Sequence, residues 1–414
     1  MAREKPDRNV YILGAGFSAP AGAPLVRNFL DLSREFYDDP RSSMDTDEKG
    51  RFANVFSFKR LMGQAREKVR IDLDNIEKLF GLVEISDRLG LETANTRDDI
   101  VYLIAKTLGI ATKWPKHPRP RFEFPINSDP HYLHTFEQHR SAFQNPGGQR
   151  LVADMYDYFA ALVGGILDHP ERKSERKDTI ITFNYDLICD HALRKLGVKA
   201  NYHLDANLVT MDETETMSRA ETVDLLKLHG STNWGICSKC DKHVIVLSEK
   251  LTDDPYLFRT QTCPGCNESA YRLLLVPPSW DKSEYQSIMK GVWSKAVEEL
   301  RTATRICIIG YSMPQSDAFF EYLLTLALSQ NDGLYKLIVV DLVEPQRQSS
   351  ILDAPVETTP GEVEFRYRKL LDPMFQERRF SFYRGGVTDF LGNGNRALHD
   401  LGRGEAISGG VSHT

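Results

Sequence analysis

Four cysteines stand in two pairs at the spacing of a metal-binding cluster. They are Cys237 and Cys240, then Cys263 and Cys266, and 22 residues separate the two pairs. Thiolates at Cys-x-x-Cys spacing can share one tetrahedral zinc ion, and four sulfur ligands leave no open coordination position. The sequence therefore predicts a structural zinc site, for which His243 would be an unnecessary substitute ligand. The alternative is four unmetallated surface thiols in a polar loop.

A histidine ends an apolar run just before this cluster. Residues 225–228 read Leu-Leu-Lys-Leu, and His229 is followed by Gly230 and Ser231. Open α/β sheets present catalytic side chains where their strands end, so His229 is a candidate for acid/base work. A single histidine can also be a structural residue of the core, and its role then depends on its neighbours.

A second group of candidate residues follows the first apolar run. Its members are Gly14, Ala15, Gly16 and Ser18. Glycines let the backbone approach a phosphate, amide groups can point at it, and a following helix N-terminus adds a favourable dipole. Arg27, just beyond this loop, could meet a pyrophosphate. The alternative is an ordinary tight turn between a strand and a helix.

An amide and a carboxylate, Asn184 and Asp186, stand at the end of the run 178–186. Residues two apart on a strand point to the same side, which would place a group that orients water or ribose beside an acceptor for an amide N–H. The alternative is a turn that caps the helix predicted to begin near Leu187.

Two later runs also end in polar residues. Gly310 and Ser312 follow the run Arg-Ile-Cys-Ile-Ile, and the serine could reach a phosphate or a ribose. Asp317 is predicted to cap the next helix. Asp341 ends Leu-Ile-Val-Val-Asp, where an acidic residue commonly binds ribose hydroxyls, although it could be an ordinary loop carboxylate.

Short apolar runs could form the strands that position these residues. They cover 9–17, 178–186, 224–229, 304–311, 335–343 and 379–384. Helical stretches such as 296–302 and 318–328 lie between them, which indicates βαβ units. The predicted fold is α/β: a Rossmann-like, doubly wound parallel sheet with a helical insertion and a small four-cysteine zinc module.

Composition and charge argue against several classes of protein. The chain has 52 basic and 58 acidic residues, a net charge of −6, and no basic stripe, so direct nucleic-acid binding is not predicted. No run approaches the roughly 18 apolar residues that span a bilayer, and the charged N-terminus lacks a signal peptide. The expected location is the cytoplasm, where Cys189 and Cys307 would be buried free thiols.

In their order along residues 9–345, these motifs resemble the sirtuin superfamily of NAD-consuming proteins. The family's glycine loop, its Asn-x-Asp element and its His-Gly match Gly14–Ser18, Asn184 with Asp186, and His229 with Gly230. Its more distant glycine, proline and arginine, its Gly-x-Ser and its zinc cysteines match Gly22, Pro24 and Arg27, Gly310 with Ser312, and all four cysteines of the two pairs.

Two departures from deacylating sirtuins make peptide deacylation doubtful. Leu25 and Val26 replace an Asp-Phe pair, and residues 273–280 replace the strand that pairs with an acyl-lysine peptide. Adjacent prolines there cannot donate ladder hydrogen bonds. The chain is more similar to bacterial sirtuin-like effectors of antiphage defence, which cleave NAD and often assemble with a partner such as a HerA-type translocase or an Argonaute-like protein.

The resemblance implies NAD+ as substrate and water as acceptor. Asn184 would orient the water, His229 would act as base or stabilise the ribose hydroxyls, and Asp186 would lie near the nicotinamide. The cofactor-binding residues would be Gly14, Ala15, Gly16, Ser18, Arg27, Gly310, Ser312 and Asp341. The alternatives are a transferase, either a deacylase or an ADP-ribosyltransferase, and a non-catalytic sensor of NAD or ADP-ribose.

The pattern of apolar and Gly/Ser-rich segments, together with the resemblance, predicts a domain organisation, and a homo-oligomer is expected as well. A sirtuin-like domain is expected over 1–402, and 403–414 is expected to be a disordered tail. The parts of that domain are an NAD-binding core at 8–30 and 176–400, a helical insertion at 31–175 and a zinc-ribbon module at 232–272. Within the insertion, 114–130 is predicted to be an irregular loop and 151–166 to be helical.

Overall fold

The structure is a computed structural model of the chain. It describes residues 7–42, 44–64, 68–69, 71–91, 96–113, 115–125, 143–144, 150–167, 176–204, 209–210, 222–247, 258, 260–269, 271–277, 285–314, 317–342 and 360–393. None of the helices in these ranges is long and apolar enough to cross a membrane. The expected tail, 403–414, lies outside the described residues.

The strands are numbered in chain order. They are β1 (Asp7–Leu13), β2 (Arg121–Pro125), β3 (Phe143–Gln144), β4 (Arg150–Asp154), β5 (Arg176–Thr182), β6 (Lys199–Asn201), β7 (Val209–Thr210), β8 (Thr222–Lys227), β9 (Gly230–Cys237), β10 (Val244–Val246), β11 (Tyr271–Leu275), β12 (Arg305–Ile309), β13 (Lys336–Val340) and β14 (Phe380–Tyr383).

The α-helices follow the same convention. They are α1 (Ala15–Ser18), α2 (Phe29–Asp38), α3 (Thr46–Gly63), α4 (Ile76–Arg88), α5 (Thr96–Lys113), α6 (Met155–Val163), α7 (Ile188–Lys195), α8 (Gln286–Thr302), α9 (Ala318–Leu328), α10 (Pro360–Leu370), α11 (Pro373–Arg379) and α12 (Gly386–Asn393). Two short 3-10 helices cover Ala19–Ala21 and Val26–Asn28.

Seven parallel strands form the central sheet, in the order β14-β13-β12-β1-β5-β8-β6. Alternate residues of β1 pack on opposite faces. Tyr11 and Leu13 face the side of α6, α7 and α12, whereas Val10 and Ile12 face the side of α8, α9 and α10. A strand buried on both faces must be apolar throughout, which is why continuous apolar runs predicted it. The Rossmann-like fold prediction is confirmed.

The expected insertion at 31–175 contains more than helices. Helices α2 to α5 share one apolar cluster, but β2, β4 and β3 pair as an antiparallel sheet. Helix α6 packs on the central sheet, with Tyr156 and Phe159 against Phe17. The loop predicted at 114–130 includes β2, and the helix predicted from residue 151 begins as β4. Both predictions fail there because strand pairing outweighs local spacing.

A second, four-stranded sheet carries the cysteines. Its order is β11-β9-β10-β7, and β9 pairs antiparallel with both β10 and β11. β9 begins directly after His229 and ends at Cys237. One strand therefore connects the end of the central sheet to the cysteine cluster.

Candidate active site

Four loops that carry candidate residues leave the central sheet at its carboxyl edge. They follow β1, β5, β8 and β12, and they contain Gly14–Ser18, Asn184, His229 and Gly310. The chain builds one half of the sheet outward from β1 and then crosses to β12 on its other side. Open α/β sheets bind ligands at such a switch point in strand order.

The loops after β1 and β12 pack backbone against backbone. Gly310 has a φ of 63°, and a β-carbon there would lie 2.4 Å from the amide nitrogen of Phe17. A β-carbon on Gly14 would lie 2.5 Å from the carbonyl oxygen of Gly310. Both glycines are therefore required for the contact between the loops, whether or not a ligand binds.

Two amides expected to face a phosphate are already used within the protein. The N–H of Gly14 donates to the carbonyl of Ile309 at 3.0 Å, and the N–H of Gly16 donates to that of Gly310 at 2.9 Å. The following helix, α1, has only four residues. These two amides are therefore not available to bind a phosphate as predicted. So short a helix also contributes little dipole. Within the described residues, the Ala15 N–H has no such carbonyl partner.

Ser18 joins the two polar residues that follow β5. The side-chain nitrogen of Asn184 donates to the Ser18 hydroxyl and to the Gly14 carbonyl, each at 2.9 Å. The Ser18 hydroxyl also hydrogen-bonds the carboxylate of Asp186. The strand ends at Thr182, so both side chains project from the loop that follows, and they meet at one hydroxyl.

Asp186 also fulfils the turn role that the sequence left open. Its Oδ1 accepts the N–H of Ile188 at 3.1 Å, at the start of α7. Burial raises the pKa of Asp186, while the charge of Lys227 and the Ser18 hydrogen bond act in the opposite direction. A buried carboxylate held by these donors is suited to fix the loop that carries Asn184.

Lys227, which the sequence analysis did not select, lies beneath this loop. Its side chain is 1% exposed, and its ammonium donates to the backbone carbonyl of Asp186 at 2.7 Å and to Asp190 at 3.0 Å. Tyr202 donates to the other oxygen of Asp190 at 2.6 Å. Its position inside the apolar run of β8 could have indicated a buried ion pair, since a buried lysine requires a partner.

His229 is held among aromatic rings and one carboxylate. Its side chain is 5% exposed, and its Nε2 lies 3.4 Å from Oδ2 of Asp317. Tyr311 donates to the same oxygen at 2.9 Å. The ring of Phe183 stacks on Tyr311 with centroids 4.0 Å apart and meets His229 edge-on at 5.3 Å. The histidine is thus fixed in place at the end of β8.

Tyr185, between Asn184 and Asp186, connects the site to neighbouring elements. Its carbonyl accepts the N–H of Thr232 at 3.0 Å, and its hydroxyl donates to the carbonyl of Val276 at 2.8 Å. Its ring packs on the apolar cluster of α2 to α5. The helical segment therefore contacts the loop that carries the candidate catalytic residues.

The other predicted cofactor-binding residues lie further apart. Arg27 is exposed on the 3-10 helix Val26–Asn28. The carbonyl of Ser312 accepts from Arg366 at 3.1 Å. Burial raises the pKa of Asp341, against a backbone hydrogen bond from Leu342 and the charge of Arg366. Arg366 thus interacts with both the Ser312 carbonyl and the Asp341 carboxylate. Arg27 lies on a separate, exposed segment.

The four cysteines meet as the sequence predicts. One sulfur atom from each lies within 4.8 Å of the others, which is a separation that one ion can bridge. Asp241 and Asn267, the residues after each Cys-x-x-Cys, both have positive φ, of 47° and 59°. The backbone therefore has the same kind of turn in the two halves of the cluster. In both turns, backbone N–H groups donate to a cysteine sulfur.

The donor set fits a cation bound by thiolates. Burial alone would raise the pKa of Cys263, but the N–H groups of Cys266 and Gly265 lower it to about 6. The N–H of Glu268 favours the thiolate of Cys266, yet burial and the neighbouring sulfurs raise its pKa to about 12. A second thiolate in this cluster therefore requires a positive charge beside it, which zinc would supply.

Comparison with known proteins finds one family model that is similar to part of the chain. Residues 178–354 match the family model of the SIR2-like domain. No curated protein matches the chain. The matched segment includes Asn184, His229, the four cysteines and Gly310.

Solved sirtuin structures align with most of the chain at low identity. A structure of Sir2Tm bound to a propionylated peptide is 14% identical, covers 96% of this chain and 94% of its own, and has a TM-score of 0.36. One of Sir2 with a p53 peptide and NAD+ is 14% identical, covers 97% and 95%, and has a TM-score of 0.36. Both TM-scores lie below 0.5. Residues 178–354 are similar to the SIR2-like domain family.

Proposed function

We propose that the protein is a sirtuin-like NAD+ hydrolase, which cleaves the bond between nicotinamide and ribose to give nicotinamide and ADP-ribose. The SIR2-like domain match supports an NAD-dependent enzyme of the sirtuin superfamily. The choice of water as acceptor, in place of an acyl-lysine or a protein side chain, is the finer part of the proposal.

The fixed orientation of the Asn184 amide carries this proposal. A carbonyl oxygen only accepts hydrogen bonds, so the contact with the Gly14 carbonyl requires the amide nitrogen on that side. The second contact, to Ser18, uses the other proton of the same nitrogen. The amide oxygen is left without a hydrogen-bond partner among the described residues, and it is therefore available to orient a water molecule.

The surroundings of Val276 disfavour an extended peptide as the second substrate. Its N–H donates to the carbonyl of His229 at 2.8 Å, and its carbonyl accepts from Tyr185 at 2.8 Å. Pro277 follows and has no N–H. A peptide that adds a strand needs unpaired backbone groups, but both groups of Val276 are paired and Pro277 has no N–H to donate.

The proposed reaction conserves atoms and charge. The bond from C1′ of the ribose to nicotinamide breaks with its electron pair going to the pyridinium nitrogen, so that neutral nicotinamide leaves an oxocarbenium-like carbon. The oxygen of the water held by Asn184 then bonds to C1′. Its proton passes to His229 and on to solvent. The ADP-ribose unit would lie over Gly14–Ser18, with Arg27, Gly310, Ser312 and Asp341 as the further binding residues proposed.

Incubation of the purified protein with NAD+ alone tests the hydrolase. Nicotinamide and ADP-ribose are followed by chromatography, with Asn184→Ala and His229→Ala measured beside the wild type. We expect release by the wild type and at least about a 100-fold loss in each variant, with the fold retained in both as judged by circular dichroism. Full activity in both variants would contradict these roles. Turnover only after addition of an acylated peptide would establish the transferase alternative.

A role in antiphage defence by depletion of NAD belongs to the same proposal, as do a homo-oligomer and a partner such as a HerA-type translocase. The support is the resemblance of the motifs. A cytoplasmic location fits a thiolate cluster, which requires a reducing compartment. Light scattering of the purified chain tests the oligomer, and a monomer at micromolar concentration would contradict it.

A further inference from the structure

Asp317 occupies a helix-capping position without capping its helix. It precedes α9, and its side chain makes no hydrogen bond to an N–H of the first turn. The sequence prediction of a helix cap is therefore wrong. The carboxylate is instead 1% exposed and faces Tyr311 of its own loop and His229 of the loop after β8.

Burial of this carboxylate requires compensation. Moving a carboxylate out of water is costly unless donors surround it. Tyr311 supplies one donor at 2.9 Å, and the imidazole of His229 lies 3.4 Å from the same oxygen. By contrast, Asp372 caps α11 with hydrogen bonds from the N–H groups of Met374 and Phe375. Asp317 does not cap its own helix in this way; its carboxylate contacts residues of the candidate site instead.

We propose that Asp317 is a positioning residue, which fixes the tautomer and the charge of His229. This inference rests on the hydrolase function proposed above. An ionised carboxylate only accepts hydrogen bonds, so the ring nitrogen that faces it, Nε2, carries the proton. The lone pair then resides on Nδ1, which is the atom that takes the proton from water.

The pairing also stabilises the product of that proton transfer. When Nδ1 accepts a proton from the attacking water, the ring becomes an imidazolium, and the nearby carboxylate balances its charge. The ring cannot turn away easily, because Phe183 meets it edge-on and stacks in turn on Tyr311. Asp317 therefore sets the charge of the histidine, and Phe183, stacked on Tyr311, holds its orientation.

Nitrogen NMR of histidine-labelled protein tests the proposal without relying on turnover. The His229 signals are identified, among 11 histidines, as those missing from His229→Gln. We expect the wild type near pH 7.5 to show the tautomer protonated at Nε2. A wild-type ring protonated at Nδ1 alone would overturn the proposal with no further variant.

Asp317→Asn, which has nearly the same shape, is then compared with Asp372→Asn. We expect Asp317→Asn to change the His229 tautomer and to lower kcat by about 100-fold with an unchanged Kd for NAD+. Asp372→Asn should match the wild type in both measurements. An unchanged His229 spectrum in Asp317→Asn, or full turnover by that variant, would overturn the proposal. A wild type that shows the expected tautomer but cleaves no NAD+ would support the positioning role and contradict the hydrolase.

Discussion

The ammonium of Lys227 lies 3.0 Å from the carboxylate of Asp190, and the two side chains are only 1% and 2% exposed. Removing one partner of such a pair leaves a buried charge uncompensated. Lys227→Met should therefore lower the free energy of unfolding by about 3–5 kcal/mol, as measured by denaturant titration. It should also slow NAD+ turnover, since the lysine holds the carbonyl of Asp186.

The matched control for Lys227 is a lysine in an exposed pair. Lys116 lies 2.6 Å from Glu35, and their side chains are 64% and 58% exposed. Lys116→Met should cost less than about 1 kcal/mol, because water solvates both charges. Equal losses in the two variants would show that burial does not set the strength of the Lys227 pair.

Zinc content is expected to be one ion per chain in protein purified without chelators. Elemental analysis of the wild type, Cys263→Ser and Cys189→Ser measures it. Cys263 is fully buried in the four-sulfur cluster, so its replacement should abolish stoichiometric zinc and lower the melting temperature. Cys189 lies outside that cluster and should be dispensable for zinc. A metal-free wild type whose melting temperature is unaffected by a chelator would contradict the zinc site.

Substitution of Gly310 should be far more damaging than substitution of Gly333. A β-carbon on Gly310 would lie 2.4 Å from the nitrogen of Phe17 and 2.5 Å from the carbonyl carbon of Gly16, and these backbone atoms cannot rotate away. On Gly333 the nearest atom, Oδ1 of Asn331, would be 3.7 Å away. We expect Gly310→Ala to cost about 1–3 kcal/mol of stability and to weaken NAD+ binding measured by calorimetry. Equal melting temperatures for the two variants would refute this.

The sequence predicted the parts of the fold that depend on local pattern. The strands buried on both faces, such as β12 and β13, appear as continuous apolar runs, and the cysteine pairs are recognisable by spacing alone. β4 could not be distinguished from the helix after it, since the residues Leu151, Val152 and Ala153 suit either element. Pairing with β2 decides its conformation, and the sequence gives no direct sign of that pairing.

Within the candidate site, the residue types were predictable and many of their partners were not. The amide of Gly16 appeared available for a phosphate because its actual acceptor, the carbonyl of Gly310, lies on a distant segment. Asp317 appeared to be a cap because its position before a helix suggests one, whereas its contact with His229 exists only in three dimensions. Side-chain partners brought together by the central sheet are the information that a single sequence lacks.

Stability in acid should depend on Glu299, a buried carboxylate of α8 that lies beside the start of β5. Burial alone would raise its pKa, but hydrogen bonds from Lys177 at 2.6 Å and from Lys295 at 2.8 Å lower it below the ordinary 4.5. A carboxylate whose folded pKa is lowered stabilises the fold fully above its unfolded pKa, and this contribution is lost as the pH falls through the folded value. The free energy of unfolding should therefore decrease below about pH 4.5.

Glu299→Gln isolates that contribution from those of other carboxylates. Its free energy of unfolding should be lower than that of the wild type at pH 7, and the difference should shrink as the pH falls below about 4.5 because the glutamate of the unfolded wild type then binds a proton. Glu298→Gln, at the adjacent position with a side chain 53% exposed, serves as the control and should follow the wild type at pH 7 and at pH 3. A constant difference between Glu299→Gln and wild type from pH 7 to pH 3 would mean that packing, and not the charge of Glu299, accounts for its effect.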